Sequence, residues 1–291
     1  MPEALTLAIS AVLLAGFYAA MAYGLGLIYG VLRIVNLAHG GIIMAAAYLT
    51  WQLFDRFGID PYLAIPIAVV VFFLIGVGLY LGLVRFLPRG PAGAVQSLLL
   101  LFGIWLVIRN IVYLLFTGND QAIQTRYATS SASILGAHYS LTRILVFLVA
   151  VVALVALHLL LTRTYLGKAI RAVAQNPDSC TLAGINVERV YAFTFGLGTA
   201  LAGLAGVLAS TLFAFNPSFG ASELLKSFVI IVLGGMGSVL GIASGACVLA
   251  FAEVFSIYVV PPYLTTAVGF VLLVVVLVLR PGGLFGQRVL R

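Results

Sequence analysis

Residues 4–32 read ALTLAISAVLLAGFYAAMAYGLGLIYGVL, a run of 29 residues without a single charged side chain. A helix that crosses the hydrocarbon core of a bilayer needs about 20 predominantly apolar residues. Residues 61–84 form a second uncharged run, and Glu253 is the only charged residue between 227 and 279. The first run therefore predicts a membrane-spanning helix, and the pattern recurs along the chain.

The composition of the whole chain agrees with these runs. Of the 291 residues, 63% are hydrophobic and 8% are charged, whereas a soluble globular domain carries about 25% charged residues. The net charge is +7, but the basic residues are scattered at the ends of apolar runs and not clustered as a nucleic-acid partner would require. We therefore expect one transmembrane domain over residues 1–291, surrounded by membrane lipid and without a nucleic-acid partner.

Charged and turn residues divide the chain into candidate spans. These are 4–32, 34–53, 61–84, 92–116, 141–162, 190–212, 224–239, 240–260 and 264–279. The second, fourth and seventh are weak as full crossings, because they are short or interrupted by polar residues or glycines. The expected fold is an all-α polytopic membrane protein with about 8–9 transmembrane helices plus re-entrant or broken segments. The N-terminus lacks the positive region of a signal peptide, so we expect the first helix to be retained.

The basic residues predict the orientation, since Lys and Arg favour the cytoplasmic side. One side of the nine-span arrangement holds Arg33, Arg85, Arg89, Arg163, Lys168, Arg171, Arg189, Arg280, Arg288 and Arg291. The other side holds Arg56, Arg109, Arg126, Arg143 and Lys226. We therefore expect the N-terminus on the outer side of the membrane, and the C-terminus and the 163–189 segment in the cytoplasm.

Catalytic and metal-binding patterns are not found in the sequence. His39, His138 and His158 are widely separated, and no nucleophile stands beside a base. Cys180 and Cys247 lie in a polar and an apolar segment, so we expect no disulfide between them. The phosphate-binding G-x-x-x-x-G-K-[ST] pattern is also missing. We expect no enzyme, no metal site and no cofactor bound by this chain; if ATP drives it, another chain hydrolyses that ATP.

Small residues recur at the spacing of helix–helix contacts. Gly198, Ala202 and Gly206 are four residues apart, and so are Gly237, Gly241 and Gly245. Each set shares one helix face and permits close approach of a neighbouring backbone. Packing within the chain is favoured over a subunit interface.

Polar residues inside apolar spans are candidates for the translocation path, because they are costly in a membrane. Asn36 and His39 are three residues apart, and Gly40-Gly41 follows, where we expect a helix break. Such breaks often line the substrate path of a transporter; alternatively, both side chains bond to the backbone of a re-entrant turn. Glu253 could face the path, pair with a base, or lie near the outer headgroups.

The connection 163–189 carries six charged residues and is the longest expected cytoplasmic segment. Residues 167–175 predict a short helix with Lys168, Arg171 and Gln175 on one face. Asn176-Pro177-Asp178 then provides an N-cap, a proline at the first helical position and an acid in the first turn. Gly184 stands where a helix-ending glycine belongs. Two short helices of this kind suggest a docking surface, although a solvated linker is the simpler interpretation.

Several motifs, in order, resemble those of permease subunits of ATP-binding-cassette importers for branched-chain amino acids. Residues 178–184 (DSCTLAG) resemble the Glu-Ala-Ala-x-x-x-Gly segment by which such permeases contact their ATPases. Residues 34–41 (IVNLAHGG) resemble the family's Asn-Phe-Ala-His-Gly segment, and 166–175 (LGKAIRAVAQ) its Gly-Arg-Ala-x-Arg-Ala-x-x-Gln run. Further matches are 201–208 (LAGLAGVL), 232–238 (VLGGMGS) and 279–286 (LRPGGLFG). His39 and Gln175 favour the shorter, LivH-like type of subunit.

The resemblance implies a function and a set of partners. The chain would be a permease subunit that imports branched-chain or related apolar amino acids, with Gly167, Lys168, Arg171, Gln175, Asn176, Asp178 and Gly184 in ATPase coupling. Its partners would be a second homologous permease (LivM-like), two ATP-binding subunits and a periplasmic substrate-binding protein. The alternatives are a permease for urea or short amides, a secondary transporter or channel without ATPases, and, more weakly, an intramembrane enzyme.

Overall fold

A computed structural model describes residues 3–88, 91–134, 136–235, 238–258, 260–261, 264–280 and 282–284. The helices are α1 Glu3–Leu32, α2 Ala38–Phe57, α3 Pro61–Gly82, α4 Pro91–Phe116, α5 Leu141–Arg163, α6 Tyr165–Gln175, α7 Pro177–Leu182, α8 Val187–Leu212, α9 Phe219–Gly234, α10 Val239–Ser256 and α11 Thr265–Leu279. A short antiparallel hairpin, β1 Ser131–Ile134 with β2 Ala137–Ser140, lies between α4 and α5. The all-α class is confirmed, and the hairpin is an addition that the sequence did not predict.

Within the described residues, six helices are long and apolar enough to cross a membrane: α1, α3, α4, α5, α8 and α10. One of them is α4, which covers the fourth expected span, although the Arg109-Asn110 pair made that span a weak candidate for a full crossing. The Asn110 side chain donates to the carbonyl of Leu106 at 2.7 Å, and Arg109 lies 5.8 Å from the ring of Trp105. Both polar groups are thus accommodated without breaking α4. The total of eight to nine crossings stays a prediction.

One end of the helix bundle, here called the first face, collects the start of α1 and three connections. Tyr139 of the hairpin donates to the carbonyl of Thr6 at 3.4 Å. Gln121 and Phe215 exchange backbone hydrogen bonds of 2.8 and 2.9 Å. The Tyr127 hydroxyl donates to Asp60 at 3.2 Å, and burial together with this carboxylate raises the pKa of Tyr127, so the hydroxyl keeps its proton.

The opposite end, here called the second face, collects the end of α3, the segment α6–α7 and the start of α8. Tyr80 near the end of α3 donates to Glu188 in the first turn of α8 at 2.8 Å. The backbone N–H of Leu284 donates to the carbonyl of Leu233 at 2.8 Å, near the end of α9. The described chain therefore begins at the first face and ends at the second, which is the arrangement that an odd number of crossings produces.

Helix α8 lies in the centre of the bundle and packs against α1, α2 and α3. Its predicted small-residue face is buried: a Cβ on Gly198 would collide with Ile28 of α1, and one on Gly206 with the backbone of α2 at Ile43. Ala202 between them is fully buried. Gly198 and Gly206 thus pack against α1 and α2 of the same chain.

The second set of small residues joins α9 to α10. A Cβ on Gly241 would collide with the carbonyl of Gly234, and one on Gly245 with the carbonyl of Ile230. Gly237, the third member, lies outside the described residues. Helix α9 ends at Gly234 because Gly235 has a φ of +93°, so the expected span 224–239 is shifted toward the N-terminus and covers Phe219–Gly234.

The break near the second span falls in a different place from the one expected. Backbone 33–36 is irregular between α1 and α2, beginning at Arg33 with a φ of +60°. Gly40-Gly41, where the break was expected, lies inside the first turns of α2. The expectation was wrong because Gly40 serves a close helix contact: a Cβ there would collide with the carbonyl of Gly220 in α9.

A matched pair of glycines in α3 tests the dependence of the bundle on the surface of α8. A Cβ on Gly76 would lie 2.6 Å from Thr199 and 2.9 Å from Gly196, whereas one on Gly78 meets nothing within 4 Å. We expect Gly76→Leu to destabilise the protein by about 1–3 kcal/mol through overpacking. Gly78→Leu should leave stability unchanged or raise it. SDS-unfolding titrations of the two purified variants measure the difference, and equal midpoints would contradict the packing described here.

Candidate functional site

The first candidate site is the coupling segment, defined as α6, α7 and their connections over residues 163–189. Helix α6 begins at a cap that the sequence did not predict: the Thr164 hydroxyl accepts the backbone N–H of Gly167 at 3.0 Å. Gly167 is buried, and a Cβ there would collide with the backbone of α5 at Leu160 and Leu161. Gly167 therefore sets the close crossing of α5 and α6.

Helix α6 is strongly two-sided. Ala169, Ile170 and Val173 face the bundle and are buried. The predicted polar face, Lys168, Arg171 and Gln175, is exposed. The helix thus presents two positive charges and an amide outward while its apolar side anchors it.

Helix α7 has the two ends that the sequence predicted. The Asn176 side chain accepts the backbone N–H of Ser179 at 3.0 Å, with Pro177 at the first helical position. Gly184 follows the helix with a φ of +79°, a conformation that glycine adopts without strain. The N–H of Ile185 donates to the carbonyl of Cys180 at 2.9 Å and closes the turn.

The outer surface of the coupling segment combines charges with apolar side chains. Asp178 is exposed in the first turn of α7. Leu182 is 91% exposed and Tyr165 is 78% exposed, although they belong to a polar segment beyond the end of α5. Large apolar side chains grouped with charges on an exposed surface are typical of a protein-binding site.

The second candidate site contains Asn36, His39 and Gly40. Asn36 precedes α2 and is fully buried, and neither polar atom of its side chain has a hydrogen-bond partner among the described residues. His39 is also fully buried, and its Nε2 lies 2.8 Å from the carbonyl oxygen of Met21 in α1. The His39 side chain thus bonds to the backbone of α1 and not to that of a re-entrant turn, whereas the Asn36 side chain has no such bond in the described part of the chain. A role of either in the translocation path stays a prediction.

The third candidate, Glu253, lies at the polar end of a cavity. It is 8% exposed, and one of its oxygens accepts the hydroxyl of Tyr18 in α1. Lys226 of α9 lines the same cavity, with its Nζ 5.3 Å from the centre of the Tyr18 ring and 3.6 Å from Glu223. Glu253 is therefore a buried member of a polar cluster, and its position relative to the outer headgroups stays a prediction. We call Tyr18, Glu223, Lys226 and Glu253 the polar cluster.

Sequence reasoning missed three of the four members of the polar cluster. Tyr18 stands in an apolar run where a tyrosine indicates only packing, and the span that began at 224 left Glu223 outside the membrane helix. The spacing of Glu223 and Lys226, three residues apart before an apolar run, was the available signal. This spacing predicts that Glu223 and Lys226 share one helix face. Their proximity to Glu253 depends on how α9 packs against α10, which the spacing does not reveal.

The chemistry that these sites support is binding and coupling. No group of three His, Cys, Asp or Glu side chains that could hold a metal ion occurs among the described residues. The polar cluster brings oppositely charged groups together inside the helix bundle, and the coupling segment exposes a mixed surface at the second face.

Comparison with known proteins identifies the family. The family described as branched-chain amino acid transport system / permease component matches residues 7–277. The permease protein BraD of Pseudomonas aeruginosa, of a high-affinity branched-chain amino acid transport system, is 30% identical over 93% of this chain and 92% of its own length. Its counterpart LivH of Escherichia coli K12 is 28% identical over 95% and 93%. The xylose transport permease XylH of Haemophilus influenzae is 36% identical over 43% of this chain and 36% of its own length.

The family match over residues 7–277 includes all three candidate sites, and the matches to BraD and LivH cover nearly the whole chain. The proteins matched are transport permeases, and the apolar helices of this chain are those of a multi-pass membrane protein. The chain therefore belongs to the family of branched-chain amino acid transport permeases, and it is a transport subunit and not an enzyme.

Proposed function

We propose that this chain is a permease subunit of an ATP-binding-cassette importer that moves branched-chain or related apolar amino acids into the cytoplasm. Separate subunits hydrolyse the ATP that drives it. The observation that carries this proposal is the coupling segment: two short capped helices at one face of the bundle with charges and exposed apolar side chains on their outer surface. A secondary transporter or channel has no need of such a surface.

In the proposed mechanism the coupling segment transmits movement from the ATPases. Lys168, Arg171 and Asp178 offer charged contacts, and Leu182 offers an apolar one. Helix α7 is joined to α8 by four residues, and Asn186 caps α8 by accepting the N–H of Arg189 at 3.0 Å. A displacement of α7 therefore moves α8, which packs against α1, α2 and α3.

The proposed assembly contains a second homologous, LivM-like permease, two ATP-binding subunits and a periplasmic substrate-binding protein. It lies in the bacterial inner membrane, with the first face periplasmic and the second face cytoplasmic. This orientation follows the excess of basic residues on the side of the coupling segment. The relatives named for branched-chain amino acid transport support the substrate class.

Transport by the reconstituted complex tests the proposed function directly. We expect proteoliposomes with the complete complex to accumulate L-leucine only when ATP reaches the ATPase side and the binding protein is present. Uptake of radiolabelled leucine is compared with that of urea, acetamide and D-xylose under the same conditions. Preferential uptake of urea or xylose would contradict the substrate class, and uptake of leucine without ATPases would contradict the mechanism.

Gly184 tests the coupling segment, and Gly58 provides a matched control at the opposite face. Both have positive φ angles, +79° and +64°, and open space where a Cβ would lie. A valine at either position costs about 1–2 kcal/mol of backbone strain. We expect Gly184→Val to reduce leucine uptake at least tenfold while the subunit still inserts, because α7 changes its angle; Gly58→Val should transport normally.

The readout of that comparison is the ratio of leucine transported to ATP hydrolysed. Uncoupling predicts that hydrolysis in Gly184→Val no longer responds to the loaded binding protein. Normal stimulation and normal uptake in that variant would refute the assignment of this segment. Equal losses in both variants would show that strain alone is responsible.

Cysteine labelling tests the orientation. In a background with Cys180→Ser and Cys247→Ala, single cysteines replace the exposed Asp178 at the second face or the exposed Ser130 at the first face. We expect a membrane-impermeant maleimide to label Ser130→Cys in intact spheroplasts and Asp178→Cys only after lysis. The reverse pattern would place the coupling segment outside and contradict the proposed topology.

A further inference from the structure

A cavity of about 370 Å³ lies inside the single subunit, toward the first face. Side chains of α1, α5, α9, α10 and α11 and the end of α8 form its walls. Arg143, in the first turn of α5, lines its outer part, so the cavity extends toward the face where the hairpin lies. Its volume is within the range of small-molecule sites, about 300–1,000 Å³.

The deep end of the cavity presents one anionic and one cationic group separately. Glu253 and Lys226 both line it, with the Tyr18 ring beside Lys226 and the Tyr18 hydroxyl bonded to Glu253. Among the described residues no ion pair joins Lys226 to Glu253; the pairing of Lys226 is with Glu223 at 3.6 Å. Lys226 and Glu253 therefore both border the cavity without forming a direct ion pair.

Both charged groups retain hydrogen-bonding capacity. An ammonium carries three donors, and a carboxylate has two oxygens that each accept. Glu223 is the ion-pair partner of Lys226, and Tyr18 donates to only one oxygen of Glu253, whose other oxygen has no hydrogen bond among the described residues. Charged groups at membrane depth are costly unless paired, so a ligand that brings the complementary charges would be favoured here.

Most of the remaining wall is apolar, with Ser10, Arg143 and Thr265 as its other polar side chains. Leu13 and Leu14 of α1, Val146 of α5 and Phe213 after α8 line the cavity beside the charged end. An α-amino acid with an aliphatic side chain carries a carboxylate, an ammonium and an apolar branch on one carbon atom. This set of groups matches the cation, the anion and the apolar wall of the cavity.

We propose that this cavity is a binding site for the zwitterion of an apolar α-amino acid, within one permease subunit. Lys226 binds the substrate carboxylate, Glu253 binds its ammonium group, and the apolar wall holds its side chain. Tyr18 positions Glu253 and separates it from Lys226. The proposal rests on the proposed transport function and adds a site and the residues that recognise the substrate.

Analogues with a single charge test the assignment of each group. The chain, with the subunits that co-purify with it, is placed in nanodiscs without the binding protein, and binding of radiolabelled L-leucine is measured with competitors. The competitors are 4-methylpentanoate, which lacks the ammonium, and 3-methylbutylamine, which lacks the carboxylate. In the wild type, we expect each analogue to displace radiolabelled leucine at least tenfold less well than unlabelled leucine does.

Two variants should change this pattern in opposite directions. Glu253→Gln should weaken leucine binding at least tenfold, and 4-methylpentanoate should then bind as well as leucine. Lys226→Met should weaken leucine binding similarly and remove the advantage of leucine over 3-methylbutylamine. Loss of folding cannot give this reciprocal pattern. Glu3→Gln, the same change at an exposed carboxyl in α1, should bind leucine like the wild type.

Uptake by the complete complex separates failure of the site from failure of the function. If the wild type imports leucine and both variants bind and import it with wild-type parameters, the site is refuted and the function stands. If the two variants show the reciprocal binding pattern but the wild-type complex imports no leucine, the function is refuted and the site stands. Equal loss of all ligands in both variants would refute the division of roles between Lys226 and Glu253.

Discussion

The close packing of α8 against its neighbours is the constraint on which the rest of the structure depends. In lipid the hydrophobic effect does not drive helices together, so close backbone approach and dispersion must do so. The carbonyl of Gly24 in α1 approaches Gly198, and the carbonyl of Ile43 in α2 approaches Gly206. These approaches allow three helices to surround α8. As a consequence, most of its apolar stretch is buried.

The central position of α8 also connects the two ends of the molecule. Its first turn follows the coupling segment and contacts α3 through the bond from Tyr80 to Glu188. Its last residue, Leu212, lines the cavity that contains the polar cluster. One continuous helix, α8, thus extends from the coupling segment to the cavity, so a displacement at one end would reach the other.

The sequence was sufficient for features that depend on local patterns. The apolar runs predicted the long helices, and the Asn176 cap and Gly184 predicted the ends of α7, because caps and left-handed glycines act within a few residues. The break before α2 was misplaced, since Gly40 faces α9 through a tertiary contact that no local pattern reveals. The same applies to the polar cluster: Tyr18 and Glu253 are 235 positions apart in the chain.

The cost of buried polar groups explains why the membrane-embedded part of this chain contains so few of them and why those few are grouped. Lys226 has the carboxylate of Glu223 as its ion-pair partner, and Glu253 accepts a hydrogen bond from the neutral hydroxyl of Tyr18. A fully satisfied cluster would need no ligand, and a single unpaired charge would be too costly to keep. The polar cluster lies between these limits, since Lys226 has an ion-pair partner and Glu253 has a hydrogen bond but no ion pair among the described residues. This balance agrees with the proposed zwitterion site, because Lys226 and Glu253 each keep one polar partner when the cavity is empty.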